Sequence, residues 1–249
     1  MPSKMPTPKP ALNVGSHILE RSHMFTVIRF RSGRCSGILE WVVGLRVALV
    51  VCAGVMAAEP LSLVARWTMQ PAESGANHFQ DTGPHQLALS AEGGAVADAV
   101  EGRSAVRVGR DGGHLRARAS GEIDRLTQAL TITTWVRLDA RPTDGAAAII
   151  TKRASWSEPT PYALLVTENG AVVFDGHDGD KWFHARSPGG RLKVDQWHHV
   201  ALAYGANEGV TLYVDGQRVA GGPARGPLMR NNHSLLLGHE TGSEHGKRA

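Results

Sequence analysis

The chain has 249 residues, with 6% aromatic residues, 29 Gly and 13 Pro, a composition that suits many short strands joined by turns. Its formal net charge of +4 comes from the start of the chain: residues 1–58 hold seven Lys/Arg against two Asp/Glu, and the remainder holds twenty against twenty-one. The remainder is near neutral, which removes the electrostatic case for a nucleic-acid or anionic-membrane partner. Both cysteines, Cys35 and Cys52, fall within the first 58 residues, so the rest can build neither a disulfide framework nor a cysteine metal site.

Three zones open the chain. Residues 1–10 (MPSKMPTPKP) are polar and Pro-rich with nothing to pack, and read as disordered. Met24 is an alternative start, which makes 1–23 a leader outside the native protein. Residues 24–58 then carry Arg29, Arg31, Arg34 and Arg46, followed by an apolar run from Val47 to Ala58 that ends in small residues before Glu59-Pro60. Positive charge, a short apolar core and a small-residue cut site describe a secretory signal, best cut after Ala57. A membrane anchor is the alternative, but it needs about 20 apolar residues and Arg46 interrupts the run. A secreted, periplasmic or cell-surface protein is expected, meeting a membrane only through this segment if it stays uncleaved.

From residue 59 to 249 the recurring unit is four to eight apolar or β-branched residues between Gly, Pro, Asp or Asn clusters, the pattern of an all-β sandwich. The expected strands are Val64–Thr68, Gln86–Leu89, Ala105–Val108, His114–Arg116, Leu130–Leu138, Ala148–Lys152, Tyr162–Thr167, Ala171–Asp175, Trp182–Arg186, Trp197–Tyr204, Val210–Val214, Gln217–Ala220 and Leu235–Gly238. Asn169-Gly170 and Asp215-Gly216 each stand between two such runs, where this pair supplies the positive φ of a tight hairpin turn. Trp197–Tyr204 joins the Asp215 hairpin to make a three-stranded meander, which needs a second layer over its apolar face.

These residues, in this order, resemble the laminin-G-like jelly-roll modules of the concanavalin-A-like superfamily. The landmarks are Ala65-Arg66-Trp67, Asp81-Thr82-Gly83, Gly102-Arg103-Ser104-Ala105-Val106 and Leu130 to Arg137 (LTITTWVR). The sharpest are Trp197-His198-His199-Val200-Ala201 and, eleven residues after that Ala, Leu212-Tyr213-Val214-Asp215-Gly216, with Leu235-Leu236-Leu237-Gly238 following. The resemblance implies a two-sheet antiparallel jelly-roll sandwich over residues 59–249, preceded by the disordered leader and the hydrophobic signal segment. Family members usually continue to a final strand, whereas this chain ends at Ala249 in a polar stretch. A sandwich lacking that strand leaves backbone groups unpaired and apolar surface exposed. The expectation is a fragment of a longer protein, or a strand supplied by a partner.

The superfamily includes glucanases that place Glu-x-Asp-x-(x)-Glu on one face of a strand. Here Glu122-Ile123-Asp124 is followed by Leu126 and Thr127 where the third acid belongs, so no catalytic residue is expected. His198 and His199 are adjacent on a strand and face opposite sides. One is expected to be hydrogen-bonded beneath a loop, the other partly exposed. The loop from Asp175 to Trp182 (DGHDGDKW) is the richest local cluster. Asp175, His177, Asp178 and Asp180 offer polar contacts, and Trp182 offers a face on which a sugar ring can stack. Trp156, also in a loop, joins this set. Ca²⁺ is the cation such carboxylates would take, although the spacing is not that of an EF-hand, and Asp81 is a second candidate metal ligand that rests largely on the resemblance. Trp67, Trp135 and Trp197 read as packing anchors.

The reading is an exported, non-catalytic recognition module whose partner is a carbohydrate or an extracellular protein surface. The alternatives are a glycoside hydrolase-type enzyme on the same fold and an assembly module completed by a partner strand.

Overall fold

A computed structural model describes residues 26–30, 62–72, 75–109, 112–143, 145–153, 155, 158–223 and 225–239. Among them the chain runs through β1 (Thr26–Phe30), β2 (Ser62–Ala72), β3 (Gly75–Asp81), β4 (Leu89–Glu92), β5 (Val96–Val100), β6 (Arg103–Arg107), β7 (His114–Ala117) and one helical turn, α1 (Gly121–Asp124). It continues through β8 (Ala129–Arg137), β9 (Ala146–Thr151), β10 (Tyr162–Thr167), β11 (Val172–His177) and β12 (Trp182–Arg186). The last strands are β13 (Trp197–Gly205), β14 (Gly209–Val214), β15 (Gln217–Gly222) and β16 (Leu235–Leu237).

Fourteen strands form one hydrogen-bonded ribbon in the order β12-β11-β10-β9-β16-β7-β4-β3-β2-β1-β8-β13-β14-β15, while β5 and β6 pair only with each other. The β2–β3 ladder is broken by register shifts around Pro71. The two ends of the ribbon come together: a Cβ on Gly222 of β15 would lie 2.9 Å from the His184 carbonyl oxygen of β12, so only glycine allows this approach. Between the layers lies one core in which Phe79, Leu164 and Phe174 on one side meet Trp67, Ile132, Val200 and Leu212 on the other, all fully buried.

The expectation of two sheets is therefore corrected. The all-β sandwich has three: two large layers, continuous by hydrogen bonding, and the separate β5–β6 hairpin. The hairpin stands alone because it is self-contained. Glu101 and Gly102 take φ of 53° and 75°, the two positive values that close a tight hairpin, and its five residue pairs satisfy one another.

The expectation that residues 24–58 are a signal segment preceding the sandwich is corrected at Thr26–Phe30. Thr26–Phe30, inside the span 24–58, is a strand that pairs with β2 on one side and with Thr131–Thr133 of β8 on the other. Thr-Val-Ile-Arg-Phe is a β-branched and aromatic run of the kind that fits a pleated surface. With β1 between them, β2 and β8 are not sheet edges. Among the described residues no helix is long and apolar enough to cross a membrane. Residues 1–23, the run Val47–Ala58, Cys35 and Cys52 lie outside the described residues.

The two sharpest sequence landmarks meet in space. The His198 Nδ1 lies 2.8 Å from Asp215 Oδ2, and the Lys193 amide donates to His198 Nε2 at 3.0 Å. Nε2 is thus the acceptor, and Nδ1–H donates to the carboxylate. The other carboxylate oxygen accepts the His199 amide at 2.9 Å, and the Asp215 amide donates to the His199 carbonyl. Asp215 and Gly216 take φ of 52° and 78°, as a tight hairpin requires. At Asn169-Gly170 only Gly170 has positive φ, 72°. That turn closes with the Gly170 amide on the Thr167 carbonyl, while the Thr167 amide reaches Ala171, a longer connection with glycine at its bulge.

Candidate functional site

Strands β11 and β12 form an antiparallel hairpin in the register Val173↔Arg186, Asp175↔His184 and His177↔Trp182. Side chains alternate across a strand. Phe174 and Phe183 therefore point into the core, where they pack against Tyr204 with ring centroids 5.6–6.0 Å apart. Gly176 sits against this aromatic group: a Cβ there would lie 2.7 Å from Phe183 and 2.8 Å from Phe174. Asp175, His177, Trp182 and His184 take the opposite face.

On that outer face Trp182 is 38% exposed, and among the described residues Val96 is the other exposed large apolar side chain. Its indole stacks on His184, with centroids 6.2 Å apart and planes within 8°, and meets the buried His177 edge-on at 5.2 Å. The His184 Nδ1 lies 2.8 Å from Asp175 Oδ1, which orients the ring. His177 is fixed by the Gly179 amide, which donates to its Nδ1 at 2.9 Å. The result is a shallow ridge in which one indole is held between two imidazoles.

The turn below the ridge satisfies itself. Asp178 Oδ1 accepts the amides of Lys181 at 2.7 Å and Asp180 at 2.8 Å, and these two N–H groups hold its carboxyl below the usual carboxylate range. Asp180 is exposed, 3.6 Å from Lys181 Nζ. The three carboxylates of the cluster thus answer three different partners. Asp81 lies elsewhere: its Oδ1 accepts the Arg66 and Gly83 amides, both at 2.7 Å, and its Oδ2 accepts the Leu87 amide at 2.9 Å, so its carboxylate closes a turn. Among the described residues no three His, Cys, Asp or Glu side chains converge as a metal set. Trp156 lies outside the described residues.

Glu122 and Asp124 stand on the helical turn α1 rather than on a strand, so their spacing does not aim them into one cleft. Glu122 faces Arg125 at 3.6 Å. Asp124 Oδ1 lies 2.7 Å from Nζ of Lys152, which is 1% exposed and also donates to the His233 carbonyl at 2.7 Å. Burial pushes the Lys152 ammonium down, with Asp124 opposing that shift, and burial pushes the neighbouring Tyr162 hydroxyl up. This is a fold-holding ion pair.

Sequence reasoning missed His184 as a partner of Trp182, although the i, i+2 spacing on β12 contains that signal. It also missed the stacking of Arg103 over Trp135, 4.5 Å from its centroid, and the approach of Arg103 to Trp197 at 6.0 Å. Trp67 is fully buried with its Nε1 donating to the Leu87 carbonyl, whereas Trp135 and Trp197 are only half-buried.

The chain belongs to the concanavalin A-like lectin/glucanase superfamily: a family model of the laminin-G type described in those words matches residues 109–248. No curated protein matches it in sequence. In fold it is similar to the binding domain of Paraclostridial mosquitocidal protein 1, with TM-score 0.56, 11% identity, and 70% of this chain and 44% of that one covered. It is similar too to the botulinum neurotoxin serotype C1 binding domain, with TM-score 0.51, 15% identity, and 68% and 42% covered. A third is the botulinum neurotoxin DC binding domain solved in complex with SialylT, with TM-score 0.51, 13% identity, and 65% and 41% covered. The chain spans less than half the length of these structures.

Proposed function

We propose that this chain is a non-catalytic, extracellular recognition module that binds glycans through the Trp182 ridge. The observation that carries this is the indole of Trp182, held in the open by His177 and His184, with Asp175 on the same face and Asp180 in the adjoining turn. An exposed aromatic plane with polar acceptors at its margin is the arrangement that takes the apolar face of a sugar ring and hydrogen-bonds its hydroxyls. The binding role of toxin domains sharing this fold, one of them solved with SialylT, supports the choice of a glycan over a protein surface. The chemistry needed for turnover has no counterpart at the ridge, where the carboxylates answer neighbouring groups and none is poised as an acid–base pair.

The test is calorimetric titration of the full chain with a panel of neutral and sialylated oligosaccharides. Trp182→Ala is expected to weaken the best ligand about ten-fold or more, equivalent to about 1.4 kcal/mol, with the melting temperature unchanged. Undiminished affinity in that variant would remove the ridge from the binding site.

A further inference from the structure

Strand β1 fills a slot that is longer than itself. It runs antiparallel to β2 and to β8, so those two strands run parallel to each other with one strand's width between them. Among the described residues β1 pairs with β2 from Ser62 to Trp67 but with β8 only from Thr131 to Thr133, whereas β13 pairs with all nine residues of β8, Ala129–Arg137. Past Thr26, therefore, Trp135, Val136 and Arg137 have a strand on the β13 side and none on the other among the described residues. Nor does a tight turn hold β1 in place: residues 31–61 separate it from β2, where a hairpin connection takes about two to five.

The slot opens at this end onto a cavity of about 440 Å³. Met69, just beyond Trp67 on β2, and Thr134 to Arg137 of β8 line it, so it lies where a longer strand would continue. The rest of its wall is mainly aliphatic, with Val106, Leu115, Val166 and Leu237. Residues directly opposite each other in a ladder share a face. A strand continuing along β8 would thus turn inward its residues opposite Ile132, Thr134 and Val136. Ile132 is fully buried and Val136 packs on the same core, which makes those positions apolar. The β5–β6 hairpin stands beside this end without a ladder to either layer. It reaches the end of β8 through side chains, Arg107 on Asp139 at 2.6 Å and Arg103 over Trp135 at 4.5 Å. The Arg107–Asp139 pair is exposed, and such pairs hold weakly, so the hairpin can yield to an entering strand.

We propose that the slot between β2 and β8 is a docking site for an extended segment of another protein chain, which enters antiparallel to both strands in place of β1. The segment that fits is about as long as β8, nine residues, and carries β-branched aliphatic side chains at three alternate positions, i, i+2 and i+4. Backbone hydrogen bonds to the flanking strands hold it, and the alternate side chains select it by filling the chamber. Over β1 it gains the ladder along Trp135–Arg137 and the apolar burial beyond Thr26, neither of which the five residues of β1 reach. That gain offsets the advantage β1 has in being tethered to the slot.

The test titrates the full chain into a fluorescein-labelled peptide, as long as β8, in which valine alternates with threonine, and follows fluorescence anisotropy. Saturable binding is expected, one peptide per chain, at least ten-fold tighter than that of a peptide of the same composition with the alternation scrambled. Locking β1 in place should close the site. Val27 and Thr133 are register partners, and Val27→Cys with Thr133→Cys, in a chain also carrying Cys35→Ala and Cys52→Ala, allows a disulfide across that pair. The reduced form is expected to bind the peptide as the unaltered chain does, and the oxidised form at least ten-fold more weakly, with thermal melts showing that both are folded. Equal binding of the two peptides, equal binding to the two redox forms, or no saturable binding to the unaltered chain would overturn the proposal.

Discussion

At the β14–β15 turn an aspartate, two histidines and a nearby tryptophan are drawn into the fold. Asp215 accepts from His198 and from the His199 amide, and His199 packs tilted against Trp135 with centroids 5.3 Å apart. At the β11–β12 turn the same residue types are arranged around Trp182, yet there the indole faces outward and the imidazoles support it from the side. Composition does not separate these two corners. What separates them is whether each polar atom already has a partner and whether the aromatic plane is covered. The first corner is a strut between β13 and the β14–β15 turn, and it contains the strongest sequence landmark of the chain. The second is the surface left for a ligand.

The sharpest way to break this contrast is at a polar group that belongs wholly to the fold. Lys152→Ala leaves Asp124 without its buried partner, a loss expected to cost about 3–5 kcal/mol, seen as a large drop in the denaturant midpoint. Next comes the strut itself. Asp215→Asn weakens the bonds to His198 and to the His199 amide, with an expected loss of about 1–2 kcal/mol given the half-exposed side chain and no change in glycan affinity.

Acidification should act in two stages, at this corner and at His239. Burial holds the His199 imidazole below its ordinary value of 6.5, with Asp215 opposing, and burial, His114 and Arg116 act likewise on His239. A group lowered in the fold contributes stability above its unfolded value and loses it as the pH falls through the folded one. The melting temperature is therefore expected to start falling below about pH 6.5. For Asp215, burial opposes ionisation but is outweighed by the bonds from His198 and the His199 amide, so its carboxyl lies below 3.8. A second fall is expected below about that pH, and Asp215→Asn should remove it. The smallest effect on stability is expected at the other corner. Trp182→Ala should shift the melt by no more than about 0.5 kcal/mol while lowering glycan affinity.

Much of the fold was legible. Tyr162–Thr167 and Trp182–Arg186 were expected with their observed bounds, and the Trp197 meander was expected as such, because each strand alternates or is uniformly apolar between clear turn residues. Gly75–Asp81 (GANHFQD) and Val96–Val100 (VADAV) were missed, since one lacks alternation and the other is built from small side chains. The four-residue α1, capped by the Ser120 hydroxyl accepting the Ile123 amide, is too short to show a 3.6-residue period. Thr26–Phe30 went unread as a strand because its neighbours are basic and apolar in the manner of a leader, and its pairing with β2 and β8 is a tertiary fact. At the ridge, Trp182 was visible from its position beside a loop. Its support by His184 needed the strand phase.

The most direct test is a two-dimensional NMR titration of the tryptophan indole N–H signals with the best oligosaccharide from the panel, using Trp182→Ala to assign the resonance. The account expects the Trp182 signal to move saturably with ligand while those of Trp67, Trp135 and Trp197 stay in place. Saturable shifts confined to the other indoles, with Trp182 unmoved, would contradict it.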